Sequence, residues 1–178
     1  QYAGGYRCLV PNSGSFKNCF IASSDSIRNV TSIKPVNGTG VFVNYLTLAG
    51  DSAFLVVSNK KLSSSATQYK NYRQSIAGGN HHVILSYIDE LTDQFAYGVS
   101  GHPFAIKNYI KFLMANTNVD PRNLLLLGKS VHQNECISNS SNYAKNILPS
   151  FGYPASDNLF SQSINNPASL SPDVPTGR

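Results

Sequence analysis

The chain has 178 residues, of which only 13% are charged, and its formal net charge at pH 7 is +5. The basic residues are scattered, with Lys60-Lys61 as the one adjacent pair, so they form no basic patch and we predict no nucleic-acid partner. The length suffices for one sizeable core, no apolar stretch is long enough to cross a membrane, and the many Ser and Asn residues are typical of exported proteins.

Residues 1–48 read as short β-rich runs separated by turn residues. The runs are YRCLV, FKNCFIAS, SIKPV and GVFVNYLTL, and Asn-Ser-Gly and Asn-Gly-Thr-Gly lie between them. These runs are too few to enclose a core of their own. We therefore predict that 1–48 is the β-rich tail of an upstream β domain and that an α/β subdomain spans 49–178.

The next segment reads as a strand followed by a helix. AFLVVS (53–58) is a continuous apolar run, as expected for a strand that is buried on both faces. Serines at 63–65 offer N-caps for a helix that continues to about Ile76. Gly78-Gly79 ends it.

A second strand and a second helix follow. HHVILSYI (81–88) predicts the strand, and we expect a loop over 89–101. Pro103 suits the first position of a helix. The side chains that follow the i, i+3, i+4, i+7 spacing of a core-facing stripe are Ile106, Tyr109, Ile110 and Leu113.

NLLLL (123–127) predicts a third strand. Strands that alternate with helices indicate the α/β class, here a flavodoxin-like parallel sheet flanked by helices with right-handed crossovers. Ligands of such sheets gather beyond the carboxyl ends of the strands, which places Gly128, Lys129 and Ser130 on the functional rim. These three residues are not the end of a phosphate loop, because the position five before Gly128 is Asn123 rather than Gly.

Residues 131–178 are irregular and rich in Asn, Ser and Pro. The segment is long for a structureless connection, so we expect it to pack on the rim, to be functional, or both. Tyr153, Ser156 and Asp157 are further candidates for the rim or a substrate groove. Asp157 also suits a turn or cap that holds this segment.

An ordered series of motifs over residues 51–178 resembles the gingipain-type cysteine peptidase family. The series consists of FLVVSNKKLSSSATQYKNYRQS, QFAYGVSGHPFAIKNYIKFL, NLLLLGKS, FGYPASDNLF and DVPTGR. Within this family the resemblance is greatest to the surface sortases of the type IX secretion system of Bacteroidetes. It implies a location on the outer-membrane surface of a Gram-negative bacterium, outside the cell.

The resemblance also implies a caspase-like α/β fold of two subdomains, of which this chain is the first. In the family, the catalytic His precedes a Gly and lies with the catalytic Cys in the second subdomain. No His-Gly pair occurs here, so we assign no catalytic residue to this chain and expect it to be inactive alone. The implied partners are the second subdomain, a protein or peptide substrate and other secretion-system components. No cofactor is implied.

One position departs from the family pattern. Where relatives carry an Asp that helps bind structural calcium, this chain has Lys129, and of the acidic calcium positions Asp173 remains. Because an ammonium supplies no oxygen ligand and repels a cation, we expect no metal there. Two interpretations stay open, in which Lys129 pairs with Asp173 or is a solvated loop lysine.

Three cysteines cannot all pair within the chain. Cys8 and Cys19 have a spacing that a hairpin disulfide would allow, but we favour buried free thiols for Cys8, Cys19 and Cys136. Cys136 with His132 is an alternative thiol nucleophile and base. The favoured interpretation is a loop Cys beside a surface His, because no nearby acidic residue would orient the imidazole.

The sequence thus predicts the non-catalytic first subdomain of a surface cysteine peptidase or sortase that cleaves or transfers the peptide ends of exported proteins. Two alternatives remain, a non-enzymatic surface module on the same fold and a small flavodoxin-like ligand-binding domain. Because the chain starts at Gln1 without Met and ends at Arg178, we expect a processed form or a piece of a longer protein.

Overall fold

The structure is a computed structural model that describes residues 9–10, 14–27, 29–48 and 51–178. Internal contacts divide the chain into two compact units, 1–33 and 34–178. In the first unit the described residues form one 3-10 turn, Ser24–Ser26, and they expose apolar side chains such as Phe16 and Phe20. None of the helices in the described ranges combines the length and apolar character needed to cross a bilayer.

No described residue before Asp51 forms a strand, which corrects the β-rich interpretation of that segment. Residues 34–48 instead contain a 3-10 turn, Val36–Gly38, and the single helical turn α1, Tyr45–Leu48. β-branched and aromatic runs form strands only where a neighbouring strand satisfies their backbone groups, and the described part of this segment pairs with none. The first predicted run (6–10) lies mostly outside the described residues.

The second unit is built on a parallel sheet. Its strands are β1 (Phe54–Ser58), β2 (Val83–Tyr87), β3 (Asn123–Leu127) and β4 (Thr176–Gly177). The spatial order is β2-β1-β3-β4, and Val56 of the central strand aligns with Leu85 on one side and Leu125 on the other. Three helices flank it, namely α2 (Ser63–Gln74), α3 (Ile88–Phe95) and α4 (Phe104–Asn116). The predicted α/β fold is confirmed.

Alternation along the strands sends side chains to two cores. Leu55 and Val57 of β1 face the larger core, which also contains the predicted α4 stripe of Ile106, Tyr109, Ile110 and Leu113. Phe54 and Val56 face a smaller core against Tyr69 of α2. Because helices cover both faces of β1, its residues 55–57 are fully buried, as expected for a parallel strand.

Helix α3 occupies much of the segment in which the sequence predicted a loop. Ile88 and Leu91 are buried one turn apart, which is the helical spacing that the loop prediction overlooked. Asp89 and Glu90 lie in the first turn, where negative charge is favourable. The short strand β2 therefore leads directly into a helix.

Residues 34–48 belong to the α/β unit rather than to the segment before it. The backbone N–H of Val43 donates to Glu90 Oε1 over 2.6 Å. The Tyr45 ring lies 4.8 Å from the Tyr109 ring, and Tyr45 is buried. The compact unit thus begins before the boundary predicted at 48/49. That residues upstream derive from a β domain stays a prediction.

A buried polar group joins α1, β2 and α4. The Ser86 hydroxyl donates to the Tyr109 hydroxyl over 2.9 Å inside the larger core. Burial raises the pKa of Tyr45 to about 12, and burial also raises the pKa of Tyr109 far above its usual value. Both phenols are therefore held in their neutral form.

The two buried tyrosines predict a stability that declines in alkali. The unfolded phenols ionise near pH 10 while the folded ones stay neutral, so their contribution is complete below about pH 10 and is lost above it. We expect each of the two tyrosines to lower the unfolding free energy by up to about 1.4 kcal/mol per pH unit between pH 10 and pH 12. Urea unfolding at several pH values measures this slope.

The control is the double variant Tyr45→Phe/Tyr109→Phe, which carries no ionisable group at either site. Its unfolding free energy is expected to fall less steeply above pH 10, whatever its stability at neutral pH. Equal slopes for the two proteins would show that these phenols are not protected from ionisation.

Candidate functional site

The sheet has a topological switch point between β1 and β3. The second strand, β2, lies on one side of β1, whereas the third strand, β3, lies on the other side. Ligands of open α/β sheets bind in the crevice at this place. Here the two strand ends are joined directly, because the Ser58 hydroxyl donates to the Leu127 carbonyl over 2.9 Å. The residues that follow the two strands are Asn59 and Gly128.

Residues 147–149 fill this crevice, and we call them the plug. The N–H groups of Ile147 and Leu148 both donate to the Lys129 carbonyl over 3.0 Å. The Asn59 side-chain amide donates to the Ile147 carbonyl over 3.1 Å, and Leu148 is fully buried. The chain itself thus occupies the place where a small ligand of this type of sheet would lie.

Gly128 gives the plug its space. A Cβ at this position would lie 3.0 Å from Leu148 Cγ and 3.2 Å from Ile147 Cγ2, which is closer than side chains normally approach. The Gly-Lys-Ser turn is therefore explained by packing against the plug, since any phosphate at this turn would have to displace Leu148.

The hypothesis that Lys129 pairs with Asp173 is wrong. The Lys129 side chain is exposed, and the single ion pair formed by described residues is Arg178 with Asp157. Asp173 Oδ2 instead accepts the N–H groups of Ile164 (2.7 Å) and Asn165 (3.2 Å). The lysine whose charge Asp173 does influence is Lys107: burial lowers the pKa of Lys107, and the negative charge of Asp173 opposes that shift.

The residues at this position do not fit the calcium ion that the family resemblance implies there. One Asp173 carboxylate oxygen is already used by two backbone donors, and Lys129 adds a positive charge. Within the described ranges, no group of three or more His, Cys, Asp or Glu side chains is arranged to hold a metal ion.

Arg178 makes the connection that was expected of Lys129, and we call this contact the clasp. Its guanidinium binds Asp157 through Nη2 (2.8 Å) and Nε (3.1 Å). It also donates to the Gly128 carbonyl over 3.0 Å and to the Pro149 carbonyl over 3.1 Å. The planar fork of Arg suits such a multiple contact. The clasp ties the end of β3, the plug and the 152–160 segment to the residue that follows β4.

A cleft of about 500 Å³ opens beside the plug, between residues 99–103 and 133–152. Its lining contains no Asp, Glu, Lys or Arg side chain. The lining residues are Val99, Ser100, Gly101, His102, Pro103, Gln133, Tyr143, Asn146, Ser150 and Gly152. A smaller hollow of about 100 Å³ shares Ser100, Gly101 and Asn146 with the cleft.

The structure brings only some of the predicted rim residues together. The clasp joins Gly128 and Asp157 through Arg178.

The other predicted rim residues do not take part in the clasp. Tyr153 is 83% exposed, and its ring meets the edge of the His132 ring at a centroid distance of 5.9 Å. Ser156 stabilises the turn before Asp157, because its N–H donates to the Phe151 carbonyl over 2.9 Å. Ser130 is half-buried after the turn.

Cys136 and His132 do not form a nucleophile and base. Cys136 is fully buried in the short helix α5, Gln133–Ser138. Its one connection to His132 is a backbone hydrogen bond, from the Cys136 N–H to the His132 carbonyl. Cys19 is exposed, which corrects the buried thiol expected there, and Cys8 lies outside the described residues.

One of three comparisons with known proteins found a match. Residues 47–178 match the family model described as peptidase family C25. A search of the curated proteins and a search of the solved structures each found no match.

The contact between Gly128 and the plug predicts that Gly128→Ala is destabilising. The added methyl must displace Leu148 or Ile147, so we expect a loss of about 1–3 kcal/mol in unfolding free energy. The matched control is Gly177→Ala, because a Cβ at Gly177 meets no atom within 4 Å. Urea unfolding of both variants provides the comparison, and equal stabilities would contradict the packing role of Gly128.

The clasp predicts that Arg178→Lys is destabilising, although the charge is kept. Lys cannot reproduce the fork that reaches Asp157 and two carbonyls together, so we expect a loss of about 1–3 kcal/mol. Arg122→Lys is the control, since Arg122 is exposed and donates no side-chain hydrogen bond to the described residues. If thermal unfolding shifts equally in both variants, the clasp contributes no stability.

Proposed function

The chain belongs to peptidase family C25, the gingipain family of cysteine peptidases, and from this membership we propose that its α/β unit is the scaffold subdomain of a surface cysteine peptidase. The observation that carries the non-catalytic role is the state of Cys136. Its thiol is fully buried and has no imidazole partner. A thiol nucleophile must instead be accessible and activated by a base.

We propose that a second peptidase subdomain supplies the reactive Cys and His. The thiolate of that Cys attacks a peptide carbonyl, and the His transfers a proton to the departing amine, which leaves a thioester. Water then releases the acid, or an amine takes the acyl group. The amine route is the sortase reaction, and it would link the end of an exported protein to a surface glycolipid.

The rim of this unit is proposed to border the substrate groove. Residues 99–103 and 133–152 enclose an open cleft beside the carboxyl ends of the strands, where α/β proteins place their ligands. The plug and the clasp fix one wall of the cleft through backbone hydrogen bonds and a guanidinium. A wall held in this way presents a defined surface to a polypeptide.

The low charge and the abundance of Ser and Asn support export, and the resemblance to type IX sortases leads us to propose a location at the outer-membrane surface of a Gram-negative bacterium. There the protein would act on exported polypeptides beside other components of the type IX secretion system. This location and these partners are part of the proposal.

A second candidate is a non-enzymatic surface module on the same fold. It is favoured by the replacement of the family's calcium-binding Asp by Lys129, since a module without catalysis need not keep that site. The third alternative, a flavodoxin-like ligand-binding domain, is disfavoured because the plug fills the crevice that such a domain uses.

A thiol-directed peptide probe separates the enzyme from the module. The protein from its native source is treated with a peptidyl acyloxymethyl ketone, digested and analysed by mass spectrometry. We expect one rapidly labelled cysteine, which is none of Cys8, Cys19 and Cys136, and we expect cleavage of a peptide substrate to stop with labelling.

Two outcomes contradict the proposal. Rapid labelling of Cys136 in the native protein would place the nucleophile in this unit. Labelling of every cysteine at the slow rate of a denatured control would identify the module. Treatment of a separate urea-unfolded sample with iodoacetamide, which alkylates exposed thiols, shows that Cys136 is reactive and detectable in the digest once it is unfolded.

A further inference from the structure

A hydrogen bond between two basic side chains joins α2 to the segment that leads into β2. Arg73 Nη2 lies 2.8 Å from His81 Nε2. A guanidinium keeps its protons in proteins and can only donate, so Nε2 is the acceptor and the proton of the neutral ring lies on Nδ1. If the imidazole takes up a second proton, Nε2 becomes a donor and two donors face each other. The hydrogen bond therefore exists only while His81 is neutral.

No described Asp or Glu forms an ion pair with the basic groups around His81. The charged groups that act on the imidazole are Arg73 from α2 and Arg122, which precedes β3. Asp51 and Asp120, which precede β1 and β3, accept two backbone N–H groups and a side-chain amide instead. Burial lowers the pKa of His81, and the charges of Arg73 and Arg122 lower it further. Protonation of His81 thus adds a third positive charge to two that have no counter-charge.

Both side chains cover the uncharged Phe54 ring of β1. Arg73 Cζ lies 4.8 Å from the centre of that ring, and the centre of the His81 ring lies 5.5 Å from it. Phe54 is only 7% exposed and belongs to the smaller core. Arg73 Nε is buried without a hydrogen-bond partner among the described residues, so His81 supplies the acceptor that holds this guanidinium over the ring. Repulsion between the two cations therefore removes the cover of Phe54.

Arg73 and His81 also close the turn that follows α2. The His81 N–H donates to the Arg73 carbonyl over 2.9 Å, and the Asn80 N–H donates to the Ser75 carbonyl over 2.8 Å. Gly79 has a φ of +99°, and a Cβ there would lie 2.7 Å from His81 Nε2, so the absence of a side chain makes room for the imidazole. The turn and the imidazole are packed against each other, and movement of the ring loosens the turn.

The neighbouring histidine has the opposite role in its hydrogen bond. His82 Nε2 lies 3.0 Å from the Leu48 carbonyl, which can only accept, so this imidazole donates. Protonation leaves that donor in place. Of the two adjacent histidines, His81 is therefore the one whose hydrogen bond is broken by acid.

We propose that Arg73 and His81 form an acid-sensitive latch, which is closed while His81 is neutral and which opens on protonation to release the turn over 75–80 and uncover Phe54. The latch lies at the amino ends of the strands, opposite the rim. The plug contains no ionisable side chain and the clasp contains no histidine, so the rim stays closed while the latch opens. The inference does not depend on the proposed function.

The sign of the pH dependence follows from the lowered pKa of His81. The unfolded chain binds the proton near the usual pKa of about 6.5, whereas the folded chain binds it only at lower pH. The contribution of the latch is therefore complete above about pH 6.5 and is lost as the pH falls from there through the folded pKa.

NMR of the ¹⁵N-labelled chain between about pH 7.5 and pH 5 tests the latch. At the upper pH we expect the Nδ1–H tautomer of His81 and an Arg73 Nε–H resonance that the Phe54 ring current shifts upfield. Both change with one midpoint, below the usual pKa of about 6.5. We expect the His81 amide to lose at least about fivefold of its protection against hydrogen exchange, whereas the Ile147 amide keeps its protection.

Three variants identify the group that responds to acid. His81→Gln keeps an acceptor near the position of Nε2 but cannot be protonated, so the Arg73 resonance should become independent of pH over this range. His82→Gln is the matched control, because it removes the adjacent histidine and should retain the full response. Arg73→Met removes the donor and one positive charge, so we expect the pKa of His81 to rise towards its usual value.

Three results would each overturn the inference. The first is an Nε2–H tautomer of His81 at pH 7.5, or a pKa of His81 at or above its usual value; this measurement on the unsubstituted chain needs no variant to fold. The second is a pH response of the Arg73 resonance that persists in His81→Gln or vanishes in His82→Gln. The third is an equal loss of protection at the His81 and Ile147 amides, which would show that acid opens the whole unit rather than a latch.

Discussion

The packing of residues 147–149 against Gly128 is the constraint on which the rim depends. One carbonyl, that of Lys129, accepts the N–H groups of both Ile147 and Leu148, and the absence of a side chain at Gly128 allows this approach. The switch-point crevice of the sheet is closed as a result. Accessible space remains beside the plug, next to residues 99–103, which is why the candidate site lies there.

The sequence predicts most of the fold correctly, namely the elements whose apolar pattern matches the faces that the tertiary structure buries. The three long strands and α4 have apolar patterns that match the faces they bury. Helix α3 was missed because its short apolar stripe is interrupted by charged and polar residues. The β-rich runs before Asp51 form no described strand, since strand formation depends on partners that no local pattern reveals.

The site was less predictable than the fold, for a physical reason. Motif order alone indicated the family, which the match over 47–178 confirms. The clasp joins Arg178 to a carboxylate 21 positions earlier and to the Gly128 carbonyl 50 positions earlier, and no local rule pairs such residues. From the sequence we expected a side-chain contact between the turn after β3 and the closing segment, with Lys129 as its basic residue. In the structure the basic residue of this contact is Arg178. A guanidinium reaches several acceptors in one plane, which an ammonium cannot.

Native-state hydrogen exchange of the Ile147 and Leu148 amides tests the closed switch point most directly. If the plug is an integral part of the fold, these two amides exchange only through global unfolding, with the same free energy as amides of the central strand β1. Exchange of both amides at the rate of an exposed loop, independent of denaturant, would show that the crevice opens and that the site has been placed wrongly.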